Sequence, residues 1–239
     1  MARKIYKWRI AGFIFKAICS LFIAAVVLLL LWRIIDNIND PREMDTIIPN
    51  ETLCEAYSQG GGELNMYYQD QTRYTRGENN SGYFAVTQFV FIDEADQLQF
   101  VFRYNNSTLK YTQRDYELPK LPSRDEDVYD VTVTIMYDLT PENPNDNDGE
   151  TPEAVRRERF YASDMLACKK TLYNYRKFVF DGIEIDKNVL AVYADFYYVG
   201  DVDYEKKPYG SLLLYSYNEE NIEYKLSAND KKAIEEWTP

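Results

Sequence analysis

The sequence predicts an all-β fold carried on one membrane helix: a single N-terminal transmembrane segment, then an extracytoplasmic antiparallel β-sandwich, Ig-like in class, with short flanking helices. Three observations predict it. Residues 11–32 form an apolar run broken by one charge, Lys16. Beyond it lie about eight or nine short β-branched and aromatic segments separated by turn residues. The chain holds 22 Tyr and 12 Phe against 10 Gly and 9 Pro, the composition of a folded aromatic-rich domain and not of a disordered stalk.

The apolar run comes first. At about 1.5 Å per residue it spans roughly 33 Å, enough for a hydrocarbon core of about 30 Å. Trp8 and Trp32 bracket it, where interfacial aromatics belong. Arg3, Lys4, Lys7 and Arg9 precede it, so the positive-inside rule keeps residues 1–9 cytoplasmic and sends the C-terminus out. The run is long for a cleaved signal and ends in Leu-Leu-Leu-Trp-Arg without a small-x-small site, so residues 10–35 read as an uncleaved signal anchor in the cell membrane. Lys16 lies early enough to snorkel to the cytoplasmic headgroups, the alternative being a functional intramembrane amine. Cys19 is a small apolar residue or a palmitoylation site.

Charge follows the same division. The chain has 27 basic and 39 acidic residues, net −12. The first 33 positions hold six of the basic residues and no acids, so the remainder is more acidic still. Such a surface repels nucleic acid and anionic headgroups and keeps the exported part soluble. Residues 36–49, polar with two prolines, read as a juxtamembrane stalk, and 50–239 as one domain.

Within that domain, Asn50 is placed to cap a helix over 51–59, ended by Gly60-Gly61-Gly62, with Leu53, Ala56 and Tyr57 inward. Strands are predicted over 84–92 and 98–104, joined by a hairpin loop at 93–97. A short strand at 110–116 is broken by the prolines after it. In residues 129–137, Val131, Val133, Ile135 and Tyr137 alternate with Thr132 and Thr134, which describes a strand with one wet face. An acidic loop at 141–153 precedes strands over 157–162, 172–180, 189–199, 211–217 and 222–226. Ser227 then caps a helix over 228–237, with Ala233, Ile234 and Trp237 inward.

Three motifs invite chemical readings, and each lacks its partners. Residues 89–96, Phe-Val-Phe-Ile-Asp-Glu-Ala-Asp, resemble the Walker-B strand of DEAD-box helicases, whose acids need a phosphate-binding loop opposite, and the chain has no G-x-x-x-x-G-K-[ST]. Ser107-Thr-Leu-Lys110 resembles the S-x-x-K of penicillin-binding proteins, but S-D-N and K-T-G are both missing. The stretch at 145–150 resembles a calcium loop, yet aligning its Gly149 puts Pro144 and Val155 at two ligand positions. An irregular site on Asp146, Asp148 and Glu150 is the alternative to a solvated acidic turn.

The chain has no His, which removes Ser–His and Cys–His catalysis and His-ligated zinc. Two exported cysteines cannot make a Cys₄ zinc site within one chain. Carboxylate hydrolysis survives, but no acidic pair stands out. The sequence calls for no cofactor. Cys54 and Cys168 are either a disulfide, closing a loop of roughly 100 residues worth about 4–5 kcal/mol in the entropy model, or two buried thiols. Sequons stand at Asn50, Asn79, Asn105 and Asn106.

What remains is binding. Tyr193, Tyr197 and Tyr198 share one strand, Tyr215 and Tyr217 share one face of another, and Tyr204 and Tyr209 sit in the loop between, among Gly200, Pro208 and Gly210. Loops on a rigid β scaffold carry binding, and exposed Tyr stacks on sugars and peptides. The expectation is a non-catalytic anchored domain that binds another envelope or membrane protein, as a subunit of a membrane complex with Lys16, Cys19 and Ser20 in the helix contact. The alternative is a glycan or cell-wall binding module using those tyrosines.

Overall fold

The computed structural model describes residues 2–38, 40–69, 72–77, 82–138, 155–185, 189–199, 207–216 and 222–238. Two compact units emerge, Met1–Asp40 and Pro41–Pro239. The first is helix α1 (Ala2–Ile38). Its stretch Gly12–Ile35, 24 residues of mean hydropathy 2.8, is long and apolar enough to cross a membrane.

The second unit is mostly β, in two antiparallel sheets. The larger joins β1 (Asn65–Gln69), β2 (Arg73–Arg76), β3 (Tyr83–Ile92), β4 (Gln97–Asn105), β7 (Asp164–Lys169), β8 (Tyr173–Asp181) and β11 (Ile222–Lys225) in the order β11-β1-β3-β4-β8-β7, with β2 on the first half of β3. The smaller runs β10-β9-β5-β6, from β5 (Tyr129–Asp138), β6 (Val155–Tyr161), β9 (Val189–Tyr198) and β10 (Gly210–Ser216). The chain visits the sheets hairpin by hairpin: β3-β4 and β7-β8 in one, β5-β6 and β9-β10 in the other.

One aromatic core is drawn from both sheets. Phe84, Phe100, Phe102 and Phe178 of the larger pack with Val133, Ile135, Val192 and Phe196 of the smaller. Phe84 and Phe196 approach to 4.3 Å between ring centroids. Gly210 opposes Phe196 across the β9-β10 ladder, and a Cβ there would lie 2.1 Å from the ring. Glycine is required because the ring occupies that space.

The other face of the larger sheet is covered as well. Helices α3 (Glu51–Gln59) and α5 (Ala228–Glu236) lay Leu53, Ala56 and Ile234 over Val90, Ile92 and Met66. The Asn50 cap on Leu53 and the Ser227 capping box form as the sequence predicts. Beside them the segment expected to be a stalk is packed down. Met44, in the short helix α2 (Arg42–Asp45), and Ile47 are buried. Ile48 N–H donates to Gln99 Oε1 and Ile48 C=O accepts from Gln99 Nε2, both at 2.8 Å, so one carboxamide pairs with this segment as a strand neighbour would. The buried Lys177 amine donates to the Met44 and Thr46 carbonyls at 2.9 and 2.8 Å. Asn50 closes the network, donating to Asp181 and accepting from Gln97. A polar segment on a polar row of β4 and β8 satisfies both sets of groups, which hydropathy alone does not reveal.

The expected strand at 110–116 is helix α4 (Asn106–Asp115). Asn105 caps it through Thr108 N–H, and Thr108, Leu109 and Thr112 turn inward at helical spacing. Strands β1, β2 and β7, of five, four and six residues, escaped the sequence pattern.

Candidate functional site

Strand alternation on the smaller sheet builds the site. Val131, Val133 and Ile135 of β5 enter the core, so Thr134 and Met136 face outward. Register carries that face sideways: Thr134 opposes Arg159 on β6 and Tyr193 on β9, and Met136 opposes Arg157. Asp195, on the same face of β9, opposes Ser211 on β10. Among the described residues no element lies over this face, in contrast to the larger sheet.

The face is concave. A cavity of about 620 Å³ is lined by Arg157, Glu158 and Arg159 of β6, Tyr193, Asp195 and Tyr197 of β9, and Pro208 and Ser211, with Thr134 and Met136 between the strands. Asp195 is only 8 % exposed and forms the floor. Its carboxylate oxygens accept from the Thr134 and Ser211 hydroxyls, both at 2.5 Å, an arrangement that fixes the carboxylate without a cation. The Arg159 guanidinium lies 5.6 Å from the Tyr197 ring centroid. Burial pushes the Tyr197 hydroxyl above its ordinary pKa, and the nearby Arg159 charge pulls the other way. Arg156 pairs with Glu158 at 2.9 Å, so Arg157 and Arg159 are the cations on the cavity wall.

The tyrosines picked from sequence fare differently. Tyr197 is buried beneath Arg159. Tyr198, half-buried on the other side of β9, packs on Tyr116 at 4.7 Å. Tyr209 is 3 % exposed, donates to Asp115 Oδ2 at 2.9 Å and stands edge-on to Phe84. It is a core residue and no binding platform, because the turn into β10 points its ring at the aromatic core. Tyr204 lies outside the described residues, as do Asp146, Asp148, Glu150 and Asn79. The described residues contain no group of three or more acidic or thiol side chains placed to hold a metal.

Of the two readings offered for Cys54 and Cys168, this structure carries them as free thiols. Cys54 packs beside Ile234 and points at its carbonyl, while Cys168 sits on edge strand β7 and donates to Glu43 at 3.2 Å. Their side chains belong to separate clusters. Burial raises both thiol pKa values, and Glu43 raises that of Cys168 further. The Asn50 amide is committed to Asp181, and Asn105 caps α4. Ser107 does occupy the first turn of a helix, but it and Lys110 are exposed. The Walker-B-like residues form the end of β3 and the 3-10 turn Asp93–Ala95 of a hairpin.

Sequence reasoning named Tyr193 among the strand tyrosines but missed Arg157, Arg159 and Asp195 beside it. A period-two reading of residues 193–197 would have put Tyr193, Asp195 and Tyr197 together and Tyr198 opposite. Comparison with protein-family models, with curated proteins and with solved structures finds no match.

Proposed function

We propose that this chain is a non-catalytic, membrane-anchored binding protein. Its N-terminus is cytoplasmic, α1 is a signal anchor in the cell membrane, and the two sheets form a β-sandwich outside, Ig-like in the loose sense of two antiparallel sheets over one core. The domain binds another envelope or membrane protein, as a subunit of a membrane complex, through the outer face of β5, β6, β9 and β10. The observation that supports this is asymmetry of cover among the described residues: the larger sheet is packed on both faces, and the polar, concave outer face of the smaller has no described element over it. The test is purification of the tagged full-length protein from its native membrane in mild detergent. It is compared with a version bearing an unrelated anchor helix and with Tyr193→Asp. A stoichiometric protein kept after the helix swap and lost with Tyr193→Asp is the expected result. A protein lost only with the swap places the contact in the helix and defeats this reading.

The second reading is glycan binding, favoured by the size of the cavity and by Tyr193 standing beside a carboxylate and two guanidinium groups. It predicts retention of envelope polysaccharide by the wild-type protein and its loss in Tyr193→Ala.

A further inference from the structure

We propose that β6 is the docking edge for an extended acidic segment of the partner protein. The segment adds as a strand along β6, with carboxylates at alternate positions meeting Arg157 and Arg159. This deepens the open-face reading above and rests on it.

Among the described residues strand β6 ends the smaller sheet, with β5 as its one strand partner. Seven residues are held in continuous register on that side, so the backbone is already extended for a further strand. Sequence charge on the strand is unusual for this chain. In Val-Arg-Arg-Glu-Arg-Phe-Tyr three of seven residues are arginine, against a whole-chain net of −12. Glu158 is matched by Arg156 at 2.9 Å. Arg157 and Arg159 stand two residues apart on the opposite face, both exposed and both on the cavity wall. Among the described residues the Arg157 side chain makes no hydrogen bond or ion pair. Arg159 is steadied over the Tyr197 ring, so little side-chain freedom remains to be lost on binding.

The geometry selects the partner's chemistry. Side chains on one face of a strand recur at about 7 Å, so a segment with Asp or Glu at every second position presents one carboxylate to each guanidinium. Charged edge strands guard against indiscriminate pairing. Two like charges on one face go further, repelling a basic strand and admitting an acidic one. Arginine also suits carboxylates better than lysine does, because the planar fork donates two parallel bonds.

The experiment uses the full-length protein in detergent and three fluorescein-labelled seven-residue peptides of alternating sequence: Glu/Val, Gln/Val and Lys/Val. Anisotropy is read at low and high salt. The Glu/Val peptide is expected to bind at least tenfold tighter than Gln/Val, and to weaken as salt rises. Arg157→Glu with Arg159→Glu is expected to reverse the order and favour Lys/Val, a gain that also shows the variant is folded. Equal binding of Glu/Val and Gln/Val, or a double variant with unchanged preference, overturns the proposal. So does a wild-type protein that binds hexuronate oligosaccharide and none of the peptides. If the peptides fail while Tyr193→Asp still releases the envelope protein in the membrane purification, the acidic strand is wrong and the open face stands. If both fail, both readings fall.

Discussion

Lys177 offers the sharpest test of how the segment after the apolar helix is held. Its amine is almost wholly buried, and burial lowers its pKa from 10.5 to about 8, with Asp230 and Asp45 opposing the shift. Below pH 8 the amine is protonated in both the folded and the unfolded chain, and the whole cost of burying a cation is present. Between pH 8 and 10.5 the unfolded chain keeps a proton that the folded chain has released, so stability rises with pH. Above 10.5 the gain is complete. The difference between the two pKa values corresponds to about 3 kcal/mol. The perturbation is Lys177→Met, assayed by denaturant unfolding of the full-length protein in detergent from pH 7 to 10.5. Buried tyrosines such as Tyr129 titrate in the opposite sense at high pH, but they are common to both chains and cancel. The stability of wild type relative to Lys177→Met is therefore expected to climb by about 3 kcal/mol across that range. A difference that stays flat with pH refutes the buried amine, and with it the docking of residues 41–49.

Other outcomes follow from single contacts. Gly210→Ala drives a methyl into the Phe196 ring and is expected to cost about 2–3 kcal/mol; adding Phe196→Leu should recover about 1 kcal/mol of that loss in a double-mutant cycle. Asn50→Ala removes the cap of α3 and a donor to Asp181, and should lower stability by about 2 kcal/mol in thermal or denaturant unfolding. Thiol titration of the denatured, unreduced protein should find Cys54 and Cys168 both reactive, and in the native protein both should alkylate more slowly than an exposed cysteine at pH 8.

Much of the fold is legible because the signals are local. The apolar run declares a helix able to cross a membrane by length and composition, whatever the rest of the chain does. The caps at Asn50 and Ser227 need only the next three residues, and both helices begin where those side chains stand. Strands β3, β4, β5, β8, β9 and β10 announce themselves through aromatic and β-branched runs. Strands β1, β2 and β7 do not, because runs of five, four and six residues are too short for a clear period, and pairing with β11, β3 and β8 holds them extended. Helix α4 was misread for a related reason. Its Tyr and Thr residues have strand propensity, and only the packing of Thr108, Leu109 and Thr112 beneath it settles the choice.

The candidate site was the least legible part. Tyrosine is amphipathic, so its presence in a loop says nothing about which way the ring turns. Tyr209 turned into the core, and the half-hidden Tyr193 became a cavity wall. By itself the sequence determined the long apolar N-terminal helix, the β character of the remainder and the absence of any histidine chemistry. Tertiary structure alone decided how the described elements cover the larger sheet, where the two thiols sit, and that Arg157, Arg159 and Asp195 line one cavity. The reason is physical: composition and period act within a strand, while strand order and register are set between strands, by contacts far apart along the chain.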